Sequence, residues 1–332
     1  MKIGENQIGD GKPVYIIAEA GINHNGNLEL AKEMIEAAAK CNANAVKFQS
    51  FTPEEVFSKN KNPELFDLLK KWSLTKKQQE KLKIHSKKND IEFISTPTGT
   101  NSLKTLKELN VKAIKIASPD LTDHNFLRSA ARIHTPIILS TGMSTISEIF
   151  SAVQIILEEK CPLSLLHCNS SYPTPIEDVN LNSIPYFKSL FDVPIGYSDH
   201  TLGTETCSIA VAAGATIIEK HFTLDKNMEG PDQKLSADVK DLTQIVSKTR
   251  KIEKLLGHNR INITKSEQKF RPLMRKSVAA KIDIKTGTKL KKSMLTILRP
   301  GTGIPPNLLN NLIGTTTKKN IEKGSIINWD ML

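Results

Sequence analysis

Two histidines that end neighbouring apolar runs are the sharpest candidates for chemistry in this chain. His200 ends PIGYSDH, and His221 closes TIIEKHF one β/α unit later. Imidazole nitrogens bind divalent metals, and two of them with few other protein ligands leave coordination positions open for water and substrate. The pair therefore predicts a metal site that polarises a carbonyl group. The alternative is that hydrogen bonds satisfy each ring separately.

Two lysines stand at equivalent positions in the second and fourth apolar runs. Lys47 lies in VKFQ and Lys115 in IKIAS. Hydroxyl groups occupy comparable places on other runs: Ser118, Ser140 and Ser198. Ammonium groups and hydroxyls together suit a phosphate or a carboxylate. Two alternatives stay open, because each lysine could pair with a carboxylate such as Glu19 or Glu219, or could be desolvated enough to form a Schiff base.

Other polar residues end the remaining runs or follow them. Glu19 ends IIAEAG, where a general base or a ligand of a sugar hydroxyl would lie, and Thr96 ends EFISTP. Asp232 lies in the loop LDKNMEGPDQ, after the eighth run and within reach of the same region. The segment AEAGINHNG is rich in glycine but lacks GxGxxG, so the sequence predicts no dinucleotide site.

The elements that must position these residues read as a (β/α)₈ barrel. Eight short apolar runs up to residue 222 are typical of parallel strands buried on both faces, and amphipathic helical segments separate them. Thr145 with Glu148 predicts a capping box at one helix, and Gly257 predicts the end of the last one. The C-terminal ends of barrel strands meet at one rim, where barrel enzymes place their active sites.

The composition changes after residue 257 and predicts a second domain. Residues 1–257 form the barrel in this interpretation, the polar and basic stretch 258–276 is a linker, and 277–332 form a small domain of short alternating strands. A domain of this size is near the lower limit for folding alone, so we expect it to pack on its own barrel or on a partner subunit.

Charge and cysteine usage narrow the class of protein. The formal net charge is +11, but only 5% of residues are aromatic and no nucleic-acid-binding motif accompanies the scattered lysines, which argues against nucleic acid. The four cysteines form no CxxC pair, and no run of about 18 apolar residues is present. We therefore expect a reduced, cytoplasmic protein that does not enter a membrane.

The motifs, taken in order, resemble the sialic acid synthase family, which includes N-acetylneuraminate, legionaminic acid and pseudaminic acid synthases. The resemblance runs from end to end through IIAEAGINHNG, VKFQ, STP, SSYPTP, GYSDHT, EKHFTLDK, GPD and RPGTG. It implies a TIM barrel followed by an antifreeze-like (SAF) domain. It also implies condensation of phosphoenolpyruvate with an N-acetylated sugar aldehyde, with release of phosphate.

The resemblance further implies a role for each matching position. His200 and His221 would hold Mn²⁺, or else Mg²⁺ or Co²⁺. The residues expected around the substrates are Glu19, Lys47, Thr96, Lys115, Ser118, Ser140, Tyr172, Ser198 and Asp232. Arg299 in LRPGTG would enter the barrel of the opposite subunit, which predicts a domain-swapped homodimer.

The chain also departs from the family's pattern. Ser118-Pro119-Asp120 stands where sialic acid synthases commonly have Ser-Gly-Glu, Ser170 stands where some members have Asn, and the connection after the second strand reads as compact. The motifs rank N-acetylmannosamine first as acceptor and a 2,4-diacetamido-6-deoxy sugar, as in legionaminic acid synthases, second. A Schiff-base aldolase and a non-enzymatic glycan- or ice-binding protein are the rival hypotheses.

Overall fold

The computed structural model describes residues 1–56, 58–257 and 261–332. The chain divides into two compact units, Met1–Gly257 and His258–Leu332. A short hairpin of β1 (Lys2–Ile3) and β2 (Asn6–Gln7) opens the first unit. Eight parallel strands then close into a barrel, as the sequence predicts: β3 (Tyr15–Gly21), β4 (Ala45–Ser50), β5 (Glu92–Pro97), β6 (Ile114–Ile116), β7 (Ile137–Ser140), β8 (Leu163–Cys168), β9 (Ile195–Asp199) and β10 (Ile217–His221).

Helices connect consecutive barrel strands on the outside. Their bounds are α1 (Leu28–Lys40), α2 (Pro53–Val56), α3 (Pro63–Trp72), α4 (Lys76–Lys88), α5 (Thr100–Leu109), α6 (His124–Ala131), α7 (Ile146–Glu158), α8 (Ser183–Leu190), α9 (Glu205–Ala212) and α10 (Val239–Leu256). The Thr145–Glu148 capping box of α7 is confirmed, and Gly257 ends α10 with a φ of 57°. In the described part of the chain, no helix combines the length and the apolar character needed to cross a membrane.

The loop between β4 and the next helix is compact, as expected, because β4 ends at Ser50 and α2 begins at Pro53. Two helices, α2 and α3, then precede α4 in this connection. Pro63 begins α3 at a position where its missing N–H costs nothing, and the Asn62 side chain caps the same helix by accepting from Leu65 N. These start signals lay in a stretch whose lysines and polar residues resembled a loop.

The barrel interior is apolar below the C-terminal ends of the strands, in what we call its lower half. Ile17 of β3, Ile94 of β5, Ile138 of β7 and Ile217 of β10 are fully buried in one cluster there. Ile3 beside the N-terminal hairpin belongs to the same cluster. Branched side chains that fill a barrel are the usual packing of this fold, so the lower half is a core and not a channel.

The last helix of the barrel unit is tied to the first barrel strand. The Glu253 carboxylate accepts from Val14 N at 2.6 Å, and the Arg250 guanidinium donates to Val14 O at 3.0 Å and to Asn44 Oδ1 at 3.3 Å. Asn44 Oδ1 also accepts from Ile16 N at 2.8 Å. These contacts satisfy main-chain groups at the start of β3 that the strand pairing leaves open.

The second unit holds one two-stranded antiparallel sheet, β11 (Ser277–Ala280) and β12 (Leu295–Leu298), with its own apolar cluster. The prediction of several alternating strands is wrong in detail, because the described residues otherwise pair only through isolated bridges such as Ile284–Ile321. The 4-residue helix α12 (Leu309–Leu312) follows β12.

The predicted linker 258–276 also differs from the structure. Helix α11 (Lys265–Met274) occupies most of it, with Thr264 and Glu267 forming a capping box. Pro272 is typical of a break in a helix, because proline lacks the N–H for a helical hydrogen bond. It lies in the last turn of α11, so the missing hydrogen bond affects only the end of the helix. Residues 258–260 of the predicted linker lie outside the described residues.

Candidate active site

The predicted site residues of the barrel line one cavity of about 430 Å³ at the C-terminal ends of the strands. They are Glu19, Lys47, Thr96, Lys115, Ser118, Ser140, Tyr172, Ser198, His200, His221 and Asp232. Arg299 belongs to the second unit, where it is exposed directly after β12. Eight separate stretches of sequence therefore converge because parallel strands of a barrel end at one rim.

The two histidines lie side by side, as their strand positions predict. Their ring centroids are 5.4 Å apart, with an angle of 53° between the planes. His200 Nδ1 lies 2.6 Å from Asn169 O, so it carries the proton and leaves Nε2 as the free nitrogen. Burial lowers the pKa of His200 and places that of His221 well below its usual range, so both rings are neutral near pH 7.

A cluster of four charges covers the floor of the cavity. Lys47 Nζ lies 2.7 Å from Glu19 Oε2 and 3.8 Å from Glu219 Oε2, and Lys115 Nζ lies 3.9 Å from Glu219 Oε1. All four side chains are at most 7% exposed. The pairing of Lys47 with Glu19, which was an alternative at the level of sequence, is thus present. Water screens such buried charges little, so each side chain affects the titration of the others.

The pKa values in this cluster separate its members by role. Burial raises the pKa of Glu19 to about 7, against the lowering effect of Lys47. Burial opposes the ionised form of Glu219 too, but the ammonium groups of Lys115 and Lys47 outweigh it and lower its pKa. Burial lowers the pKa of Lys115, whereas the two carboxylates outweigh burial at Lys47 and raise the pKa there. Glu19 is therefore the carboxyl that exchanges a proton near neutral pH.

Hydroxyl groups orient the charged side chains. Lys115 Nζ donates to Ser140 Oγ at 2.6 Å, and Lys47 Nζ donates to Thr96 Oγ1 at 3.1 Å. Ser198 Oγ donates to Glu219 Oε1 at 3.0 Å. Ser118 Oγ accepts from Gly142 N at 2.9 Å. Each lysine thus has a fixed direction into the cavity and retains donors for an anion.

Tyr172 and Asp232 lie beside the histidines. The Tyr172 ring is centred 4.1 Å from that of His200 and 5.9 Å from that of His221, and it is 52% exposed. Asp232 Oδ2 lies 3.8 Å from His221 Nδ1, and burial raises the pKa of Asp232. This side of the cavity is where a polar, uncharged molecule would find an aromatic face, a carboxylate and two imidazoles.

The residues that depart from the family's pattern follow the ends of β6 and β8. Pro119 and Ser170 line the cavity, but Asp120 is not among its lining residues. Burial, with a contribution from Asp123, raises the pKa of Asp120 to about 6. The shorter carboxylate therefore leaves Ser118 and Pro119 to face the cavity at the end of β6.

Several residues that line the cavity were not among the predicted site residues, and two of them, Gln49 and Glu219, follow from the strand pattern. Side chains alternate along a strand, so a residue two positions from an inward-facing one also faces inward. Glu219 stands two before His221, and Gln49 stands two after Lys47. Applying this period to each predicted site residue finds both from the sequence.

The cavity suits a divalent cation at the two histidines. His221 Nδ1 is buried and has no hydrogen-bond partner among the described residues, and His200 has a free Nε2 because its Nδ1 faces Asn169 O. Neutral imidazoles with lone pairs available are the form that ligates metals. In the described part of the chain no three His, Cys, Asp or Glu side chains group as a closed metal site. Two imidazoles leave coordination positions for substrate and water, so the residues fit an open site.

Comparison with known proteins agrees with this architecture. The NeuB family model matches residues 34–261, and the SAF domain model matches residues 275–332. The N,N'-diacetyllegionaminic acid synthase of Campylobacter jejuni is 39% identical, over 95% of this chain and 99% of the relative. A pseudaminic acid synthase of the same species is 36% identical, over 95% and 96%.

A solved structure is also similar. The N-acetylneuraminic acid (sialic acid) synthetase of Leptospira borgpetersenii, in complex with citrate, has a TM-score of 0.78 and 45% sequence identity, over 81% of this chain and 94% of that one. A TIM barrel with lysines, carboxylates and histidines gathered at its rim, followed by an SAF domain, defines a class of barrel synthases. The chain belongs to the NeuB family. It is an enzyme, which removes the non-enzymatic hypothesis.

Proposed function

We propose that this enzyme condenses phosphoenolpyruvate with an open-chain N-acetylated amino sugar and releases phosphate. The observation that carries the proposal is the cavity itself, in which two ammonium groups lie at the floor and two neutral imidazoles lie at one side. The first part suits a small dianion, and the second suits the carbonyl end of a neutral sugar. The names of the similar proteins, which are synthases of legionaminic, pseudaminic and sialic acids, support the same reaction.

Phosphoenolpyruvate would bind at the floor. Lys47 and Lys115 neutralise its phosphate and carboxylate, and Ser140 and Thr96 hold the two ammonium groups in position. Ser118 and Ser198 add hydroxyls to the same wall of the cavity. Glu219 balances the two lysines while the site is empty of anion, because it lies within 4 Å of both.

The reaction needs one new carbon–carbon bond and one water. The enol carbon C3 attacks the aldehyde carbon, whose oxygen takes up a proton to become a hydroxyl. Water adds at C2 and loses one proton, which balances the proton taken up by the aldehyde oxygen. The C2–O bond to phosphate then breaks as the new C2 hydroxyl gives its remaining proton to the departing phosphate and becomes the ketone. Glu19, with a pKa of about 7, is the group suited to take the proton from this water.

His200 and His221 would hold a divalent cation, Mn²⁺ in the first place. Such a cation would supply Lewis-acid polarisation of the aldehyde when it is bound. The residues beside it would orient the sugar, because Tyr172 offers an aromatic face to the carbon chain and Asp232 accepts from its hydroxyls. This arrangement brings the aldehyde to the side of the cavity nearest the floor.

We propose N-acetylmannosamine as the first candidate for the acceptor sugar. The 45% identity to an N-acetylneuraminic acid synthetase supports this choice. A 2,4-diacetamido-6-deoxy sugar is the second candidate, which the 39% identity to a legionaminic acid synthase supports. The wall that carries Pro119 lacks a carboxylate in the cavity, which also suits a less hydroxylated sugar. Relative kcat/KM for the two sugars decides between them.

The proposal includes a cytoplasmic, domain-swapped homodimer in which Arg299 anchors the N-acyl end of the sugar in the partner's barrel. Four unpaired, buried cysteines support a reducing compartment. Mixing Arg299→Ala and His200→Ala chains tests the swap, because a hybrid dimer then contains one intact site. Recovery of activity on mixing supports the swap. If the two inactive proteins exchange subunits and the mixture remains inactive, the result contradicts the swap.

Phosphate release from phosphoenolpyruvate tests the reaction. We expect release only with an N-acetylated amino sugar, loss of release after treatment with a chelator, and recovery with Mn²⁺. A Schiff-base aldolase predicts the reverse, namely activity that survives chelation and a covalent adduct at Lys47 or Lys115 after borohydride reduction. The adduct's mass then distinguishes the two lysines.

A further inference from the structure

A second group of buried charges lies behind the two histidines, on the outer side of the same strands. Asp199 directly precedes His200, and Lys220 directly precedes His221. Lys220 Nζ lies 2.7 Å from Asp199 Oδ2, and the two side chains are 2% and 0% exposed. Neither lines the cavity. The two residues face each other in the register of β9 and β10, so the pair bridges the strands that carry the histidines.

The pair also holds the residue that follows His200. Asp199 Oδ1 accepts from Thr201 N and from Thr201 Oγ1, each at 2.8 Å. Lys220 Nζ donates to Thr201 O. The main-chain N–H, the carbonyl and the hydroxyl of one residue are therefore all bound by the same ion pair. His200 stands between two residues, Asp199 and Thr201, that are fixed to each other and to the neighbouring strand.

Burying an ion pair is expensive, and stability alone gives little reason to keep one. Two charges withdrawn from water often contribute no more than well-packed apolar residues of the same volume would. Asp199 and Lys220 sit where strand pairing already joins β9 to β10 through main-chain hydrogen bonds. What the pair adds is a fixed direction for the chain at the point where β9 ends and His200 enters the cavity.

We infer that Asp199 and Lys220 are positioning residues, which set the separation and orientation of the His200 and His221 rings for a shared cation. This inference rests on the proposed metal site. The pair touches neither the cation nor the substrates. It acts through the backbone on both sides of His200 and through the residue before His221. Substitutions behind metal ligands commonly weaken metal binding by about 10- to 100-fold.

The matched test uses two threonines at opposite ends of the same strand pair. Thr201→Val removes the hydroxyl that donates to Asp199, and Thr216→Val removes a buried hydroxyl that donates to Ile195 O at 2.9 Å, at the other end of β9 and β10. Both variants keep the side-chain volume. Thr216→Val loses one buried hydrogen bond, whereas Thr201→Val also loses the hydrogen bond between the Thr201 and Thr206 hydroxyls at 2.9 Å. Mn²⁺ affinity is measured by electron paramagnetic resonance in the absence of substrate, together with the melting temperature.

We expect both variants to lower the melting temperature, Thr201→Val somewhat more because it loses two hydrogen bonds, but an Mn²⁺ Kd about fivefold higher only for Thr201→Val. Thr201→Ser keeps the hydroxyl and should restore the wild-type Kd. The double variant Asp199→Asn/Lys220→Met leaves no unpaired buried charge, and we expect it to raise the Kd by about tenfold or more. If the double variant does not fold, the threonine pair decides alone.

Equal Mn²⁺ affinity in Thr201→Val, Thr216→Val and the wild type would overturn the inference. Equal weakening in both threonine variants would also overturn it, because metal binding would then follow overall stability. Wild-type protein that binds no Mn²⁺ gives a different pattern, since it refutes the proposed metal site and leaves nothing for the pair to position. Mn²⁺ bound tightly by the wild type and weakly by Thr201→Val alone supports both proposals.

Discussion

The lower and upper layers inside the barrel differ completely in chemistry, although they are only two residues apart along each strand. Ile94 is followed two positions later by Thr96, and Ile217 by Glu219. The same step leads from apolar to polar on other strands: Ile17 to Glu19, Ala45 to Lys47, Ala113 to Lys115, and Ile138 to Ser140. The lower residue of each pair fills the core, and the upper one faces the cavity. On each of these strands, the residue that packs in the core and the residue that faces the cavity are therefore separated by one two-residue period of the strand.

The largest effect should come from the upper layer. His200→Ala removes one of two proposed metal ligands, and we expect phosphate release to fall by about a thousandfold or more, since Lewis-acid assistance contributes several kcal/mol. The melting temperature should change little. His167→Ala is the matched control, because His167 contacts Val179 O at 2.7 Å and lies outside the cavity lining. Unchanged turnover in His200→Ala would refute the metal assignment.

The lower layer should respond in the opposite way. Ile94→Ala leaves a void in the apolar cluster, and we expect a loss of about 2–5 kcal/mol in the free energy of unfolding of the barrel. Ile94→Val should cost about 0.5–1.5 kcal/mol. The kcat of the folded fraction should stay within about threefold of wild type. Urea unfolding and steady-state kinetics on the same samples test this, and a large fall in kcat with unchanged stability would remove the distinction between the layers.

The smallest expected effect is on the pH dependence of the free energy of unfolding, which the titration of Glu19 in the upper layer causes. Glu19 has a pKa raised from 4.5 to about 7, so the folded state binds its proton more tightly than the unfolded state does. Stability from this group is therefore present below pH 4.5 and lost as pH rises to 7, by up to about 3 kcal/mol.

Glu19→Gln should remove that slope and make the barrel more stable than wild type above pH 7. Unfolding free energies measured from pH 5 to pH 8 for both proteins are the test. Lys47→Met is a useful comparison, because it leaves Glu19 without its partner at 2.7 Å and should raise the pKa of Glu19, so that the loss of stability extends to higher pH. Parallel curves for wild type and Glu19→Gln would show that the carboxyl titrates normally.

The sequence predicted the fold and most of the site because both follow from short-range patterns. Eight apolar runs give the strands, and their polar ends give nine residues of the cavity. Asp232 comes from the loop after the eighth run, and Tyr172 comes from the family resemblance. Glu219 was considered as a possible partner of the lysines but not as a site residue, because its inward direction depends on strand period and not on residue type. The distances within the charged cluster, and hence the raised pKa of Glu19, depend on which strands are adjacent.

Patterns failed where elements are short or mixed in character. Helix α11 was missed because Pro272 and many charges outweighed the capping signal from Thr264 to Glu267. In the second unit, single bridges such as Lys289–Thr316 replaced the expected strands. Alternation of apolar residues there reflects burial in a small cluster, which does not need a continuous ladder.

The contacts of Arg250 and Glu253 with Val14 have a consequence for how the barrel forms during synthesis. The first strand emerges early, but the groups that satisfy its starting residue arrive some 240 positions later. A nascent chain that stops short of β10 leaves β3 without both its strand neighbour and α10, and a chain that stops between β10 and α10 still lacks the helix. We therefore expect half-barrels of this enzyme to remain unfolded on the ribosome, and the unit to fold only once its last helix has been released.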